Sequence, residues 1–223
     1  PKPWSTKVRA AIKRLQRERI QVFRAAYKLS AGTRVNTPRA IPIEGATLEL
    51  TVYVPRNVAV VASTHAGDID AADLRGNVTL RSRQGRIYAR NVRGTLRTRS
   101  ERGRQFISRV EGPVNVDGYD GDLQMRGVRG AKVQARLLSG TIVARGIQSP
   151  LVRFTTTQGG VTLTATVSTT GRVEVQTLRG DIDVRVRSRR GYRFRARSDH
   201  GRIRLPRAAR VKRRASGVRV GKV

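Results

Sequence analysis

The chain has 223 residues, enough for one sizeable domain or an elongated stack with terminal arms. It carries 47 basic against 15 acidic residues, a formal net charge of +32, and arginine supplies 40 of the 47. Cysteine is absent, which excludes disulfides and thiolate metal sites, and no apolar run approaches the roughly 18 residues of a membrane span.

A surface this charged repels itself and is tolerable mainly beside a polyanion. Nucleic acid, anionic lipid and acidic polysaccharide are the candidates. Arginine favours planar, bidentate recognition of phosphate or carboxylate over point-charge attraction. A GC-rich genome would raise arginine over lysine, but it would not deplete Asp and Glu.

Residues 1–30 read as a basic amphipathic α-helix, with its helical pattern over 5–29. Val8, Ile12, Leu15, Val22, Phe23 and Ala26 recur at three- and four-residue steps. Ser5 or Thr6 caps the start. Lys7, Arg9, Lys13, Arg14, Arg17, Arg24 and Lys28 crowd the other face. Three roles fit: a cap on an open repeat stack, a contact with RNA or a partner protein, and a membrane-surface or retained targeting helix. The chain begins at Pro1, so an upstream targeting segment stays open.

Residues 31–47, with Gly32, Pro38, Pro42 and Gly45, form a linker. From Leu48 the period becomes two: Leu48, Leu50, Val52 and Val54 alternate with Glu49, Thr51 and Tyr53, a half-buried strand that Pro55 ends.

Then Gly67, Gly76, Gly85, Gly94, Gly103, Gly112, Gly121 and Gly130 follow at nine-residue intervals. Two block types alternate, so the repeat is 18 residues, two strands and two glycine turns per coil. In most blocks an apolar residue stands two after the glycine, as at Ile69, Val78, Ile87, Leu96, Val114 and Leu123. One block type adds another seven after it: Leu74, Val92, Val110 and Val128. A single coil cannot bury its apolar face, whereas stacked coils can. The expectation is therefore an all-β, single-stranded β-solenoid (β-helix) over 48–205. After Gly130 the glycine spacing loosens, but VTLTATV, RVEVQTL, DIDVRV, YRFRAR and RIRL keep alternating. Residues 206–223 make a basic tail containing Lys212, Arg213 and Arg214 and no acid, expected to be disordered unless bound.

The segments VPRNVAVVASTHAGDIDAADLRGNVTL and RVEVQTLRGDIDVRV…YRFRARSDHGRIRLP add a family likeness. With a strand ending in Val-Pro, GDID openings and a closing GRIRLP, residues 48–206 resemble a bacterial adhesin-like β-solenoid domain family of unknown function. That resemblance implies a β-solenoid and no enzymatic activity. Here Arg86, Arg104, Arg172 and Arg202 replace aspartates common after the repeat glycine in that family.

Arginines in rows are the main functional signal. Residues one coil apart lie about 4.8 Å apart, which aligns Arg75 with Arg93 (then Glu111 and Arg129), Arg81 with Arg99, and Arg86 with Arg104. Two guanidiniums at that distance repel by roughly 1 kcal/mol even in water-like dielectric. Residues 184–197 read as a hairpin arm, with Arg185, Arg187 and Arg189 on one strand face and Arg193, Arg195 and Arg197 on the other strand's. Its Tyr192 and Phe194 point away from the arginines into the core.

Asp68, Asp70, Asp73, Asp181 and Asp183 read as turn residues bonding their own backbone. Asp117, Asp120 and Asp122 form a local acidic patch with Glu111, but the GGxGxD pattern of calcium-binding rolls is absent. His65 and His200, the only histidines, have no catalytic partner at fixed spacing, and no nucleophile elbow or phosphate loop occurs. The Arg-Gly-Asp at 179–181 is a chance-level match. No cofactor, metal or catalytic residue is expected. The expected function is a non-enzymatic, rRNA-binding component of a ribosome or mitochondrial ribosome, binding phosphates through arginine rows and terminal arms, with partner proteins at the N-terminal helix. The alternative is an extracellular or cell-envelope adhesin binding acidic polysaccharide.

Overall fold

The computed structural model describes residues 54, 57–167, 171–188 and 191–205, and, as backbone, 22–28, 47–53, 210–213 and 218–222. The chain divides into two compact units, residues 1–58 and 59–223. In the first, β1 (Val22–Lys28) runs parallel to β2 (Thr47–Tyr53), Val22 facing Thr47 and Lys28 facing Tyr53. β2 is the strand expected from Leu48. Over 22–28, part of the predicted helix, the backbone is that of β1, whose Val22, Phe23 and Tyr27 are strand-forming types. The rest of that helix, including Lys13, Arg14 and Arg17, lies outside the described residues.

The second unit is the solenoid. Its strands are β3 (Val60–Ala66), β4 (Ile69–Ala72), β5 (Val78–Gln84), β6 (Ile87–Arg93), β7 (Leu96–Arg102), β8 (Gln105–Glu111), β9 (Val114–Asp120) and β10 (Leu123–Arg129). They continue as β11 (Val133–Ser139), β12 (Ile142–Gln148), β13 (Leu151–Gln158), β14 (Val161–Val167), β15 (Gly171–Arg179), β16 (Ile182–Ser188), β17 (Tyr192–His200) and β18 (Ile203–Arg204). Odd strands from β3 to β17 make one parallel sheet and even strands from β4 to β18 the other. Within the basic tail, β20 (Val218–Lys222) pairs antiparallel with β17 and with β19 (Arg210–Arg213), extending the odd sheet to ten strands. Arg214 lies outside the described residues.

Alternation sends every second side chain inward, so Leu80, Leu96, Val116, Val133 and Phe154 from one sheet meet Ile87, Ile107, Leu123, Ile142 and Leu163 from the other in a dry core. Gln105 replaces the apolar residue of its block and is equally buried. Its amide accepts from the Thr98 hydroxyl at 2.6 Å and donates to the Asp117 carbonyl at 3.1 Å, so no polar atom of it is stranded.

The glycine corners set the coil. Gly103 has φ +134°, and a Cβ there would overlap the carbonyl oxygen of Gly85 in the coil below. One-residue insertions keep this stacking. Gly130 sits over Gly112 while Val133 pairs with Val114, so the extra residue is absorbed in the turn at 131–132 and the coil becomes 19 residues without disturbing the strands.

The even sheet carries a second column of special backbone. Asp73, Asn91, Arg109, Gly127 and Gly146 have φ of 58°, 52°, 52°, 64° and 66°. The cause is visible in the blocks: Ile87 and Val92 both point inward but are five residues apart, an odd step that requires a bulge. The column ends where Ala144 pairs with Leu163 but Ile147 pairs with Ala165, so β14 and β16 run without it. Arg109 is the costly member, since a left-handed L-residue loses roughly 1–2 kcal/mol, whereas glycine's extra chain entropy costs roughly 0.5–1. Arg109→Gly is expected to raise stability by about 0.5–1 kcal/mol, read as a higher urea midpoint at unchanged m-value. A lower midpoint would mean that the Arg109 side chain supplies more than its backbone loses.

Candidate polyanion-binding faces

The register places the predicted site residues on three surfaces. Arg81 and Arg99 pair directly on the outer face of the odd sheet. Arg193, Arg195 and Arg197 stand exposed on β17 of that sheet. Arg75 and Arg93 are bridged on the even sheet, where Arg185 and Arg187 also project. Arg86 and Arg104 flank a glycine corner between the sheets. Arg189 lies outside the described residues, and Lys212 and Arg213 are described only as backbone of β19.

Residues 184–197 are therefore not a hairpin. β16 pairs with β14 and β18, β17 with β15 and β20, and Gly191 turns a corner of the coil from one sheet to the other. Arg185 and Arg187 consequently belong to the opposite sheet from Arg193, Arg195 and Arg197. Tyr192 and Phe194 are buried and meet edge-to-face at 6.5 Å, as their inward parity requires, and burial raises the Tyr192 pKa.

Several rows carry their own anions. Arg93 is 3.4 Å from Glu111, Arg104 3.5 Å from Asp122, Arg90 2.6 Å from Asp70, and Arg197 2.9 Å from Asp199. Exposed pairs like these contribute little to stability, but they remove local repulsion and reduce the cation available to a ligand. The acidic patch expected from sequence is split: Glu111 ends β8 in the even sheet, Asp122 lies at a corner, and Asp117 and Asp120 lie on β9 in the odd sheet.

The corner aspartates bond across coils rather than to their own backbone. Asp68 accepts from the Arg86 amide at 2.7 Å, Asp122 from Thr141 at 3.0 Å, and Asp181 from Arg202 at 2.8 Å. The residue after each corner glycine lies over its counterpart one coil on, so a short carboxylate reaches that amide first. The Arg86 guanidinium is held above its ordinary pKa, first by its hydrogen bond to the Tyr88 hydroxyl and then by charge at Tyr88 and Asp68.

Among the described residues, Glu174 is the one acid held by two arginines. It is only 4% exposed and accepts from Arg153 at 2.7 Å and Arg172 at 2.6 Å. Burial alone would raise its pKa, but the two guanidinium bonds and charges outweigh burial and hold it below the ordinary carboxylate value. A folded-state pKa below the unfolded one means stability present above the unfolded value and lost as pH falls through the folded one. Glu174→Gln is expected to cost about 1–2 kcal/mol at pH 7, because the half-exposed arginines can turn to water. Urea unfolding at pH 7 and at pH 3 checks this. The gap between wild type and variant should narrow at pH 3, and an equal gap at both would contradict the clamp.

Sequence spacing missed three cations. Arg97 shares the outer face of β7 with Arg99, and Arg81, Arg97 and Arg99 form no ion pair among the described residues, although Asp117 of β9 lies in register beside Arg99. Arg126 and Arg145 pair directly on the even sheet and likewise form no ion pair there. Two-residue alternation from Arg99 would have found Arg97. The one-residue insertion before Val133 hid the Arg126–Arg145 alignment, since these lie 19 residues apart.

The family model Toastrack DUF4097, a domain of unknown function, matches residues 27–220. The chain belongs to the Toastrack family. The Val-Pro strand end, the GDID openings and the GRIRLP close therefore point to the family that is found, and the Toastrack match runs from the end of β1 through β2 and the solenoid into the basic tail. No curated protein and no solved structure matches the chain.

Proposed function

We propose that this Toastrack protein binds RNA as a non-enzymatic structural component of a ribonucleoprotein, gripping phosphates through exposed arginines. The observation that carries this reading is the cluster Arg81, Arg97 and Arg99 on adjoining strands β5 and β7. Arg81 and Arg99 are in direct register, and none of the three forms an ion pair among the described residues, Asp117 lying in register on the other side of Arg99. Several other arginines, among them Arg90, Arg93 and Arg104, are held by carboxylates, whereas this cluster sets three guanidiniums against the one neighbouring Asp117 and keeps a net positive charge for an external anion. A rigid sheet holds the guanidiniums in place, which lowers the ordering cost of binding, and arginine's fork suits phosphate oxygens. Phosphates line the backbone of a nucleic-acid strand, so guanidiniums held in a row favour backbone contacts over base readout.

Purification under low salt tests this. Nucleic acid should travel with the protein and leave in a narrow range of rising salt. Protein that emerges free of nucleic acid at low salt, and that captures none when RNA is added back, would remove the proposal.

A further inference from the structure

The end of the bulge column opens a cavity of about 300 Å³ on the outer face of the even sheet. Two residues of β12, Arg145 and Gly146, oppose the single residue Thr164 of β14, so the strand surfaces separate there. Arg145 stands on one side and Arg185 on the other; Thr162 and Thr164 line it between them, with Asp183 beside Arg185. Arg185 and Asp183 are 3.6 Å apart, whereas Arg145 has no carboxylate partner among the described residues. Arg126 lies directly beside Arg145 in the next coil, about 4.8 Å away.

We propose that this cavity seats one phosphodiester group of an RNA strand and that Arg126 meets the neighbouring phosphate. The proposal rests on the RNA-binding reading and assigns it a fixed anchor. Arg145 and Arg185 against Asp183 leave a net charge of +1, which matches a singly charged diester better than a dianionic phosphomonoester. The donors are of two kinds, guanidinium forks at the sides and threonine hydroxyls between them, which suits tetrahedral oxygens pointing in several directions. An anchor at one break in an otherwise repeating surface would set where a strand begins its path along the arginines, which uniform rows cannot do.

The experiment compares variants of the full chain by fluorescence anisotropy with a labelled single-stranded RNA. Thr164→Val removes a hydroxyl without changing charge, and Arg145→Lys keeps the charge but loses the fork. Each is expected to weaken binding about 3- to 10-fold while leaving the salt slope unchanged for Thr164→Val. Lys132→Ser, which removes one exposed lysine at a coil corner outside the arginine faces, should weaken it by less than about 2-fold. If Thr164→Val and Arg145→Lys bind like wild type while Lys132→Ser and Arg145→Ser weaken equally, charge is read diffusely and the anchor is overturned. Unchanged urea midpoints establish that the variants fold. Independently of long RNA, the dinucleoside monophosphate UpU should shift the Thr164 amide and Arg145 Nε signals in NMR, and an oligouronate should not. No shift with UpU, or a larger shift with the oligouronate, overturns the phosphodiester assignment. Shifts with UpU but no affinity for long RNA would instead sink the broader RNA reading.

Discussion

Gly103→Ala is expected to destabilise the solenoid by about 3–5 kcal/mol. Two costs add. The backbone sits at φ +134°, a region essentially closed to L-residues, and the new Cβ would overlap the carbonyl oxygen of Gly85. Relief requires the coils to part, which stretches the bonds from the Gly85 amide to the Arg102 carbonyl (3.1 Å) and from the Ile87 amide to the Arg104 carbonyl (3.0 Å). Because each coil is stabilised mainly by its neighbours, a break in mid-stack is felt by both halves. Gly127→Asn provides the contrast. Its φ is +64°, the nearest atom to an added Cβ is 4.0 Å away, and the same column already holds Asn91. Asparagine tolerates that conformation, so this change should cost under about 1 kcal/mol. Urea unfolding of both variants checks the pair. Similar losses would mean that the corner stack is not what holds the coils at their spacing.

Much of this architecture is legible in the glycines. The nine-residue period, the doubling to 18 and the inward positions of Ile87, Leu96 and Leu123 all follow from spacing, because a corner that stacks on another corner admits no side chain. The bulge column was also written there, as the odd step from Ile87 to Val92, but an even-odd conflict is easily passed over when both residues are apolar. Two features were not legible. Val22–Lys28 carries apolar residues at steps that fit helix and strand alike, and only its partner β2 decides between them. Gly191 reads as a tight reversal, yet a corner between sheets and a hairpin turn use the same residue. For the candidate site, alignment of Arg81 with Arg99 and of Arg75 with Arg93 followed from counting. The unpaired state of Arg97, Arg126 and Arg145 did not, because pairing depends on which carboxylates the register brings alongside.

Replacing Arg81, Arg97 and Arg99 together with serine should lower RNA affinity by about 100-fold at 0.1 M salt. Each phosphate contact to a single strand contributes a slope of about −0.7 in log K against log salt, or about 0.7 log unit at that concentration, and three contacts sum to about 2. The salt slope should fall in magnitude by the same amount. Stability should change little or rise slightly, since three exposed like charges leave one face. A variant that keeps wild-type affinity would move the binding surface off the odd sheet, and the cavity variants on the even sheet would then carry the comparison.

The central claim is that the exposed, unpaired arginines are phosphate-binding groups. A titration of the full chain with single-stranded RNA at salt concentrations from 50 to 400 mM tests it most directly. The account predicts sub-micromolar affinity at the low end and a linear log–log decline whose slope corresponds to at least three or four released counterions. Absence of binding at 50 mM salt, or tighter binding to an acidic polysaccharide of equal charge density, would contradict it.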